Sequence, residues 1–362
     1  MTSRKYVICV ASLLYVFMIL NLVLWHFAVK ETFTQGDLNR LGGFASTEPL
    51  TEKVKYSKRH TPLGEYIRSG KKESFDVITL GDSFSEGIGA TLPINGTGYQ
   101  DYLVNKYGIR VLNAGITENC VEDLYILLNS GIIDEVRPKA IILESAAREV
   151  QHRLGMQEIQ PESITKEMSE RYLRGLRANA SSLSLASGFM PSIMVQANMK
   201  FISYKLYHIM NPECLSFSVY INELSRNLFS NPGYEHILVN FIGDFNYLGL
   251  PLDAETANMN LNKAAKILRE KNIQPIFFAA ADKYDLYYPY IINHNGRPEN
   301  NFFPEIRKVS PKDYVFIDTM KMFREALERG EQDIYCFNDT HWSLKGIQIF
   351  CDELVKYFDW LN

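Results

Sequence analysis

The sequence has no excess of basic residues and few cysteines. Its formal net charge is −4 and no basic stripe runs along it, so nucleic acid is not a predicted partner. Only five of the 362 residues are cysteine, and their spacing does not match a zinc-binding pattern. Cys9 lies in an apolar run. Two alternatives remain open for the other four cysteines, Cys120, Cys214, Cys336 and Cys351. They either form two disulfide bridges of undetermined pairing or are free, buried thiols.

Charged residues are absent from Tyr6 to Val29. A helix of this length crosses the roughly 30 Å hydrocarbon core of a bilayer. Because Arg4 and Lys5 precede the run, residues 1–5 are predicted as a cytoplasmic tail and 6–29 as an uncleaved signal anchor. The alternative is a cleaved signal peptide, but its apolar region is usually shorter and no small-x-small cleavage site follows Val29. The body is therefore expected on the periplasmic, extracytoplasmic side of the inner membrane.

Residues 30–72 are predicted as a polar stalk, and residues 73–362 are predicted to fold as a single body. Short apolar runs predict strands at Phe75–Leu80, Arg110–Asn113, Ala140–Leu143, Ile273–Ala281 and Tyr314–Ile317. Helical patterns lie between or after them, and Asp253 and Ser343 are expected to cap two of these helices. Strands that alternate with helices favour an α/β fold, a three-layer α/β/α arrangement with a central parallel sheet.

Residues 151–250 interrupt this alternation. The segment is long, aromatic and helical in places, and polar residues break it too often for a second membrane span. We interpret it as a mostly helical insertion, a lid or accessory subdomain beside the site. The alternative is an amphipathic patch that faces the membrane.

A Gly-Asp-Ser turn follows the first predicted strand of the body. Gly81 permits a tight turn, and Ser83 is expected to open a helix whose backbone N–H groups face developing negative charge. Ser83 is therefore a candidate nucleophile, and its own N–H is a candidate oxyanion donor. An ordinary surface turn is the alternative.

A second motif, Asp339-Thr340-His341-Trp342, lies near the C-terminus. A carboxylate two residues before a histidine can reach the imidazole Nδ1 within one loop, which leaves Nε2 to take a proton from serine. Asp339 and His341 thus complete a predicted Ser-His-Asp triad. A helix-capping aspartate beside a core histidine is the alternative.

These motifs resemble the SGNH (GDSL-type) hydrolase superfamily, which has a flavodoxin-like fold. Ser83 matches its first block, and Gly115 in Leu112-Asn113-Ala114-Gly115 matches the glycine of its second. The third block departs from the family pattern, because Arg148 stands where its asparagine would be. The last block also departs, because one residue instead of two separates Asp339 from His341. The Asp-Thr-His-Trp sequence and the Arg-Glu third block are similar to the alginate O-acetyltransferase-like branch.

The resemblance implies oxyanion contacts from Gly115 and Arg148. A guanidinium is a permanent, rigid donor, although Arg148 has the alternative of pairing with Glu144 or Glu149. Trp342 either stacks on a sugar or packs the histidine loop.

The implied function is O-acetylation of a cell-surface or exported polysaccharide through an acyl-serine intermediate, with no metal or organic cofactor. A membrane-bound acetyl-transfer protein is the implied source of acyl groups. One rival function is an esterase that hydrolyses acyl esters of glycans or lipids with the same triad. The other is a non-catalytic polysaccharide-binding or assembly protein.

Overall fold

The architecture is mixed α/β, with a parallel sheet of six strands at its centre. It is described by a computed structural model over residues 3–30, 38, 56–86, 98–115, 117, 119–179, 191–245 and 253–361. The strands are β1 Thr61–Pro62, β2 Val77–Leu80, β3 Val111–Asn113, β4 Ala140–Ala146, β5 Cys214–Ser216, β6 Val219–Glu223, β7 Ile237–Phe241, β8 Gln274–Ala280 and β9 Val315–Ile317. Every residue of β2 and β4 is buried, as expected for central strands of a parallel sheet.

The helices lie mostly between these strands. They are α1 Ser3–Leu24, α2 Leu63–Ser69, α3 Ser83–Glu86, α4 Tyr99–Tyr107, α5 Cys120–Asn129, α6 Ile132–Val136, α7 Ala147–Val150, α8 Lys166–Asn179, α9 Pro191–Met210, α10 Ala254–Glu270, α11 Lys283–Tyr287, α12 Phe302–Lys308, α13 Thr319–Glu328 and α14 Leu344–Leu354. Short 3₁₀ turns follow at Pro161–Ser163, Ile242–Phe245, Tyr288–Tyr290 and Val355–Tyr357, and π-helical turns at Trp25–Val29 and Gln151–Gly155.

All five predicted strands are confirmed, with ends that shift by at most a few residues. Both predicted caps are also confirmed. Asp253 accepts a hydrogen bond from the backbone N–H of Thr256, and Ser343 accepts from Lys345 and Gly346.

The order of strands in the main sheet is β1-β3-β2-β4-β8-β9, and all its pairings are parallel. From β2 the chain moves to β3 on one side, then crosses back to β4 on the other side. The direction of winding therefore reverses at β2. In open α/β sheets, a crevice forms outside the carboxyl ends of the strands at such a reversal, and ligands bind there. Ser83 follows the carboxyl end of β2.

The insertion holds the helices expected from sequence together with a small sheet that was not expected. It contains α8 and α9, followed by an antiparallel sheet β5-β6-β7. Its strands are short and carry buried polar residues, among them Asn222 and Asn240, whose side chains hydrogen-bond each other (2.8 Å). Such strands lack a clear alternation of apolar and polar residues, so sequence patterns did not reveal them. Residues 180–190 and 246–252 of the insertion lie outside the described residues.

The N-terminal apolar run forms one helix, α1 continued by the π-helical turn, and its side chains are mostly exposed. Within the described ranges, this is the one helix long and apolar enough to cross a membrane. Of the predicted stalk, residues 31–37 and 39–55 lie outside the described part. Its last portion belongs to the body, because β1 pairs with β3 at the sheet edge and α2 follows directly. The body therefore begins before residue 73.

All five cysteines are free thiols. Cys120, Cys214, Cys336 and Cys351 are buried, which agrees with the second of the two alternatives left open by the sequence.

Candidate active site at the carboxyl end of β2

The turn that carries Ser83 is built around a buried glycine. A Cβ atom on Gly81 would lie 2.1 Å from Glu144 Oε2 and 2.6 Å from Ser85 Oγ, so any side chain here would force the buried Glu144 to move. The chain then enters α3 at Ser83, and the backbone N–H of Phe84 donates to Asp82 Oδ1 (3.2 Å). The turn is thus held in one conformation by contacts with β4, where Glu144 lies.

Asp82 organises the turn instead of completing a triad. Its carboxylate accepts from the backbone N–H of Ala146 (2.9 Å) and is bound by the guanidinium of Arg153. Burial alone would raise the pKa of Asp82, but Arg153 and these hydrogen bonds outweigh it, so the pKa is lowered. Asp82 therefore stays ionised and joins the carboxyl ends of β2 and β4.

Glu144 is a fully buried carboxyl group directly beneath the turn. Its Oε2 accepts from the backbone N–H of Asp82 (2.9 Å) and from the hydroxyl of Ser85 (2.8 Å). Burial and the neighbouring negative charge of Asp82 raise its pKa well above the usual value. The surroundings of Glu144 therefore favour its neutral form over its charged form. Sequence reasoning considered this residue only as a partner for Arg148.

His341 and Asp339 form a tight pair, as the spacing predicts. The Nδ1 atom of His341 lies 2.6 Å from Asp339 Oδ1, and the same oxygen accepts from the backbone N–H of His341 (3.0 Å). The Asp339 side chain is 1% exposed and that of His341 is 12% exposed. An aspartate bound at Nδ1 fixes that nitrogen as the protonated one, so Nε2 is the basic atom.

Phe84 connects the two motifs. Its ring centroid lies 5.1 Å from that of His341 and 5.2 Å from that of Trp342. Because Phe84 directly follows Ser83, this contact brings the histidine loop against the turn that carries the serine. The three predicted triad residues therefore belong to one region of the fold, at the switch point of the sheet.

Gly115 lies beside Gly81 at the ends of adjacent strands. A Cβ on Gly115 would lie 2.8 Å from the carbonyl oxygen of Gly81, so only glycine allows this approach of two backbones. The carboxyl ends of β2 and β3 thus meet with their backbones in close approach, directly before the turn that carries Ser83.

Arg148 lies in a buried cluster of acidic residues. Its guanidinium binds Asp282 and lies 3.5 Å from Asp244, and its backbone N–H donates to Asp282 (2.7 Å). It does not bind Glu144, and its Nε lies 3.9 Å from Glu149. Burial, opposed by Arg148 and reinforced by Asp244, raises the pKa of Asp282 to about 7. Arg148 is thus held firmly at the end of β4, with 15% of its side chain exposed.

Trp342 belongs to the core, which corrects its assignment as a possible sugar contact. Its side chain is 2% exposed and its Nε1–H donates to the hydroxyl of Tyr335 (3.0 Å). Its ring packs against four phenylalanines, Phe84, Phe278, Phe323 and Phe350. No face of the indole is left for a ligand, and the residue packs the histidine loop.

Lys283 is a residue of this region that sequence reasoning missed. Its ammonium group donates to the carbonyl oxygens of Cys336 (2.8 Å), Phe337 (2.7 Å) and Asp339 (3.1 Å), and the residue is 1% exposed. A buried lysine is costly unless its protons are bound. Its place in the sequence, just after β8, gave no signal of this contact with a loop more than fifty residues away.

Comparisons of the chain with models of known protein families, with curated proteins and with solved structures gave no match. The functional assignment therefore depends on the motifs and on their arrangement in the fold.

Proposed function

We propose that this chain is an anchored acyltransferase of SGNH type, with a three-layer α/β/α body, that transfers acyl groups to hydroxyls of a polysaccharide. The observation that carries the proposal is the pair of Asp339 and His341, 2.6 Å apart, packed through Phe84 against the turn of Ser83. A basic imidazole in a loop that packs on the turn of a serine, at the switch point of a parallel sheet, suits nucleophilic catalysis.

In the first half-reaction Ser83 Oγ attacks the carbonyl carbon of an acyl ester while His341 Nε2 takes the serine proton. The tetrahedral oxyanion is bound by the backbone N–H groups of Ser83 and Gly115, with Arg148 as a further donor. The intermediate collapses, His341 gives its proton to the leaving alcohol, and an acyl-serine ester remains. Asp339 holds the imidazole in place and stabilises its charged form throughout.

In the second half-reaction a sugar hydroxyl replaces the leaving alcohol. His341 removes its proton, the new oxygen attacks the acyl-serine, and Ser83 recovers its proton as the ester bond to it breaks. Attack by water on the same intermediate would give an esterase. The difference lies in how well the site admits a sugar and excludes water.

The anchor suits an enzyme that works where polysaccharide is exported. We propose a single membrane crossing over residues 6–29, with the body on the extracytoplasmic side of the cytoplasmic membrane, because Arg4 and Lys5 flank the N-terminal end of the helix. An acyl donor supplied by a membrane-bound acetyl-transfer protein fits this placement.

Mass spectrometry of the full chain tests the proposal. Wild type and Ser83→Ala, each purified in detergent, are mixed with an activated acetyl ester and a panel of oligosaccharides. A transferase gives acetylated sugar and, before acceptor is added, an acetyl adduct on the Ser83 peptide of wild type only. Free acetate with an adduct but without sugar product would indicate the esterase. The absence of adduct and turnover in both proteins would contradict acyl chemistry and favour the non-catalytic binding protein.

A further inference from the structure

Helix α9 of the insertion packs directly against the end of the anchor helix. The side-chain amide of Asn198 donates to the backbone carbonyl of Asn21 (2.8 Å) and to its Oδ1 (3.0 Å). Both asparagines are buried, and Val29 in the following turn is 2% exposed. An amide-to-amide hydrogen bond between two helices is a common contact in an apolar medium, where neither group can bond to water.

This contact lies inside the apolar run and not at its edge. Asn21 precedes the end of the run at Val29 by eight residues, and a helix rises about 1.5 Å per residue. Asn198 therefore meets the anchor roughly 12 Å before the point where the apolar surface ends. If α1 crosses a bilayer, part of α9 lies at the depth of the acyl chains.

The surface of α9 next to this contact is apolar and exposed. Five of its side chains are between 41% and 75% exposed: Met199, Ile202, Leu206, Ile209 and Met210. At about 100° per residue they fall within an arc of about 100°, which is the width of a typical apolar helix face. Viewed down the helix axis, this arc lies directly beside Asn198, the residue that contacts the anchor. The apolar surface of α9 therefore continues that of the anchor.

The opposite edge of the exposed surface is polar. Gln196, Lys200 and Ser203 are exposed and lie beyond the apolar arc, on the side away from Asn198. Lys205 is partly buried, with its Nζ 5.4 Å from the ring centroid of Phe201. A helix with an apolar face and a polar face is typical of a segment that lies in the membrane interface and does not cross it.

We propose that the apolar stripe of α9, formed by Met199, Ile202, Leu206, Ile209 and Met210, is embedded in the acyl-chain region of the leaflet that surrounds the end of the anchor. A lipid bilayer is the occupant that the structure favours, because the stripe is continuous with a helix suited to cross one. The anchor alone would leave the body free to tilt about a single attachment. Two embedded helices, joined by Asn21 and Asn198, fix its orientation.

The stripe is linked to the candidate active site by the second sheet. Tyr207 of α9 packs on Phe217 (ring centroids 4.1 Å apart) between β5 and β6, and the 3₁₀ turn after β7 supplies Asp244 to Arg148. The embedded helix, the second sheet and the cluster around Arg148 thus form a continuous connection. The proposed insertion does not depend on whether Ser83 is a nucleophile.

Site-directed fluorescence on the full chain tests the proposal. Single cysteines are introduced at Met199 and Leu206, with Cys9→Ala as the background, since the other four thiols are buried. Met259→Cys on α10 is the matched control, an exposed methionine of the body, and Lys200→Cys reports the polar edge of α9. Each variant carries an environment-sensitive dye and is placed in nanodiscs of phosphatidylcholine and phosphatidylglycerol.

Dyes at Met199→Cys and Leu206→Cys are expected to emit at shorter wavelength than the dye at Met259→Cys and to be quenched by nitroxide-labelled lipid. Aqueous iodide is expected to quench them several-fold less than it quenches the dye at Met259→Cys. The dye at Lys200→Cys is expected to respond to iodide. Equal quenching by iodide at all four positions would overturn the proposal. Shielding of the stripe from both quenchers would also overturn it and would indicate contact with protein, such as a second copy of the chain.

Discussion

The ammonium group of Lys283 lies 3.1 Å from the backbone carbonyl of Asp339, the residue that binds the imidazole of His341. The same ammonium binds the carbonyls of Cys336 and Phe337, so three protons meet three carbonyl oxygens of one loop. The geometry of the Asp-His pair therefore depends on a lysine that does not itself belong to the pair.

Replacement of Lys283 by methionine should loosen this loop. The three carbonyls lose a charged donor in a buried region, and we expect the free energy of unfolding to fall by about 2–4 kcal/mol. Because the loop positions Asp339, kcat with an activated acetyl ester should fall at least tenfold while KM changes much less. Lys321→Met on α13, whose side chain is 69% exposed, is the control and should alter neither quantity. A variant of Lys283 with reduced stability but unchanged kcat would contradict the positioning role.

Glu144→Gln should remove a pH dependence of stability. The pKa of Glu144 is raised in the folded protein, so folded chains hold a proton that unfolded chains release above their ordinary carboxyl pKa. Wild-type stability should therefore decline as pH rises above about 4.5, by up to about 1.4 kcal/mol per pH unit from this group. Glutamine keeps an oxygen acceptor and a donor but has no proton to lose. Denaturant unfolding should show that the variant gains stability relative to wild type as the pH rises from 5 to 8. If the free energies of unfolding of the two proteins change equally with pH, the raised pKa of Glu144 is refuted.

Gly115→Ala should damage the candidate site because the new methyl group would meet the carbonyl oxygen of Gly81. The strand ends must separate, which shifts the turn of Ser83, so we expect a loss of activity of about a hundredfold, comparable to removal of one oxyanion donor. Gly175→Ala is the matched control. That glycine lies in α8 with open space around it, and alanine there should increase stability by up to about 1 kcal/mol. Equal activity in the two variants would argue against a site at this junction.

Trp342→Ala should act on stability and not on sugar binding. The indole is buried among four phenylalanines, and loss of a buried aromatic side chain costs about 3–5 kcal/mol. Trp342→Phe should recover more than half of that loss. In the phenylalanine variant, KM for the acceptor sugar should equal that of wild type. A selective rise in this KM, with thermal unfolding unchanged, would restore the sugar-stacking interpretation.

The parallel sheet could be predicted from the sequence because its strands are short and bounded by turn residues, and the central strands are fully buried. Val77–Leu80 and Ala140–Ala146 are continuous apolar or small-residue runs for most of their length, which is the pattern of strands covered on both faces. The Asp339 and His341 pair could be predicted because two residues of spacing confine both side chains to one loop. Local sequence determines these features.

What the sequence did not reveal depends on contacts between distant segments. Lys283 meets a loop near residue 337, and Asp244 from the insertion meets Arg148 after β4. Asn198 meets Asn21, which lies 177 residues earlier in the chain. Each of these is a polar residue inside an otherwise ordinary segment, and only the fold supplies the partner that makes its burial favourable.

The two halves of the proposed triad meet in the fold but lie near opposite ends of the body's sequence. Ser83 follows β2, the central strand, which pairs with β3 and β4 from the first part of the chain, whereas the loop of His341 comes after β9. A ribosome delivers the serine long before the histidine, since synthesis runs from the N-terminus. In the proposed mechanism, the half-made protein thus holds an inert hydroxyl, and Ser83 becomes reactive only after the loop of His341 has been synthesised and has docked.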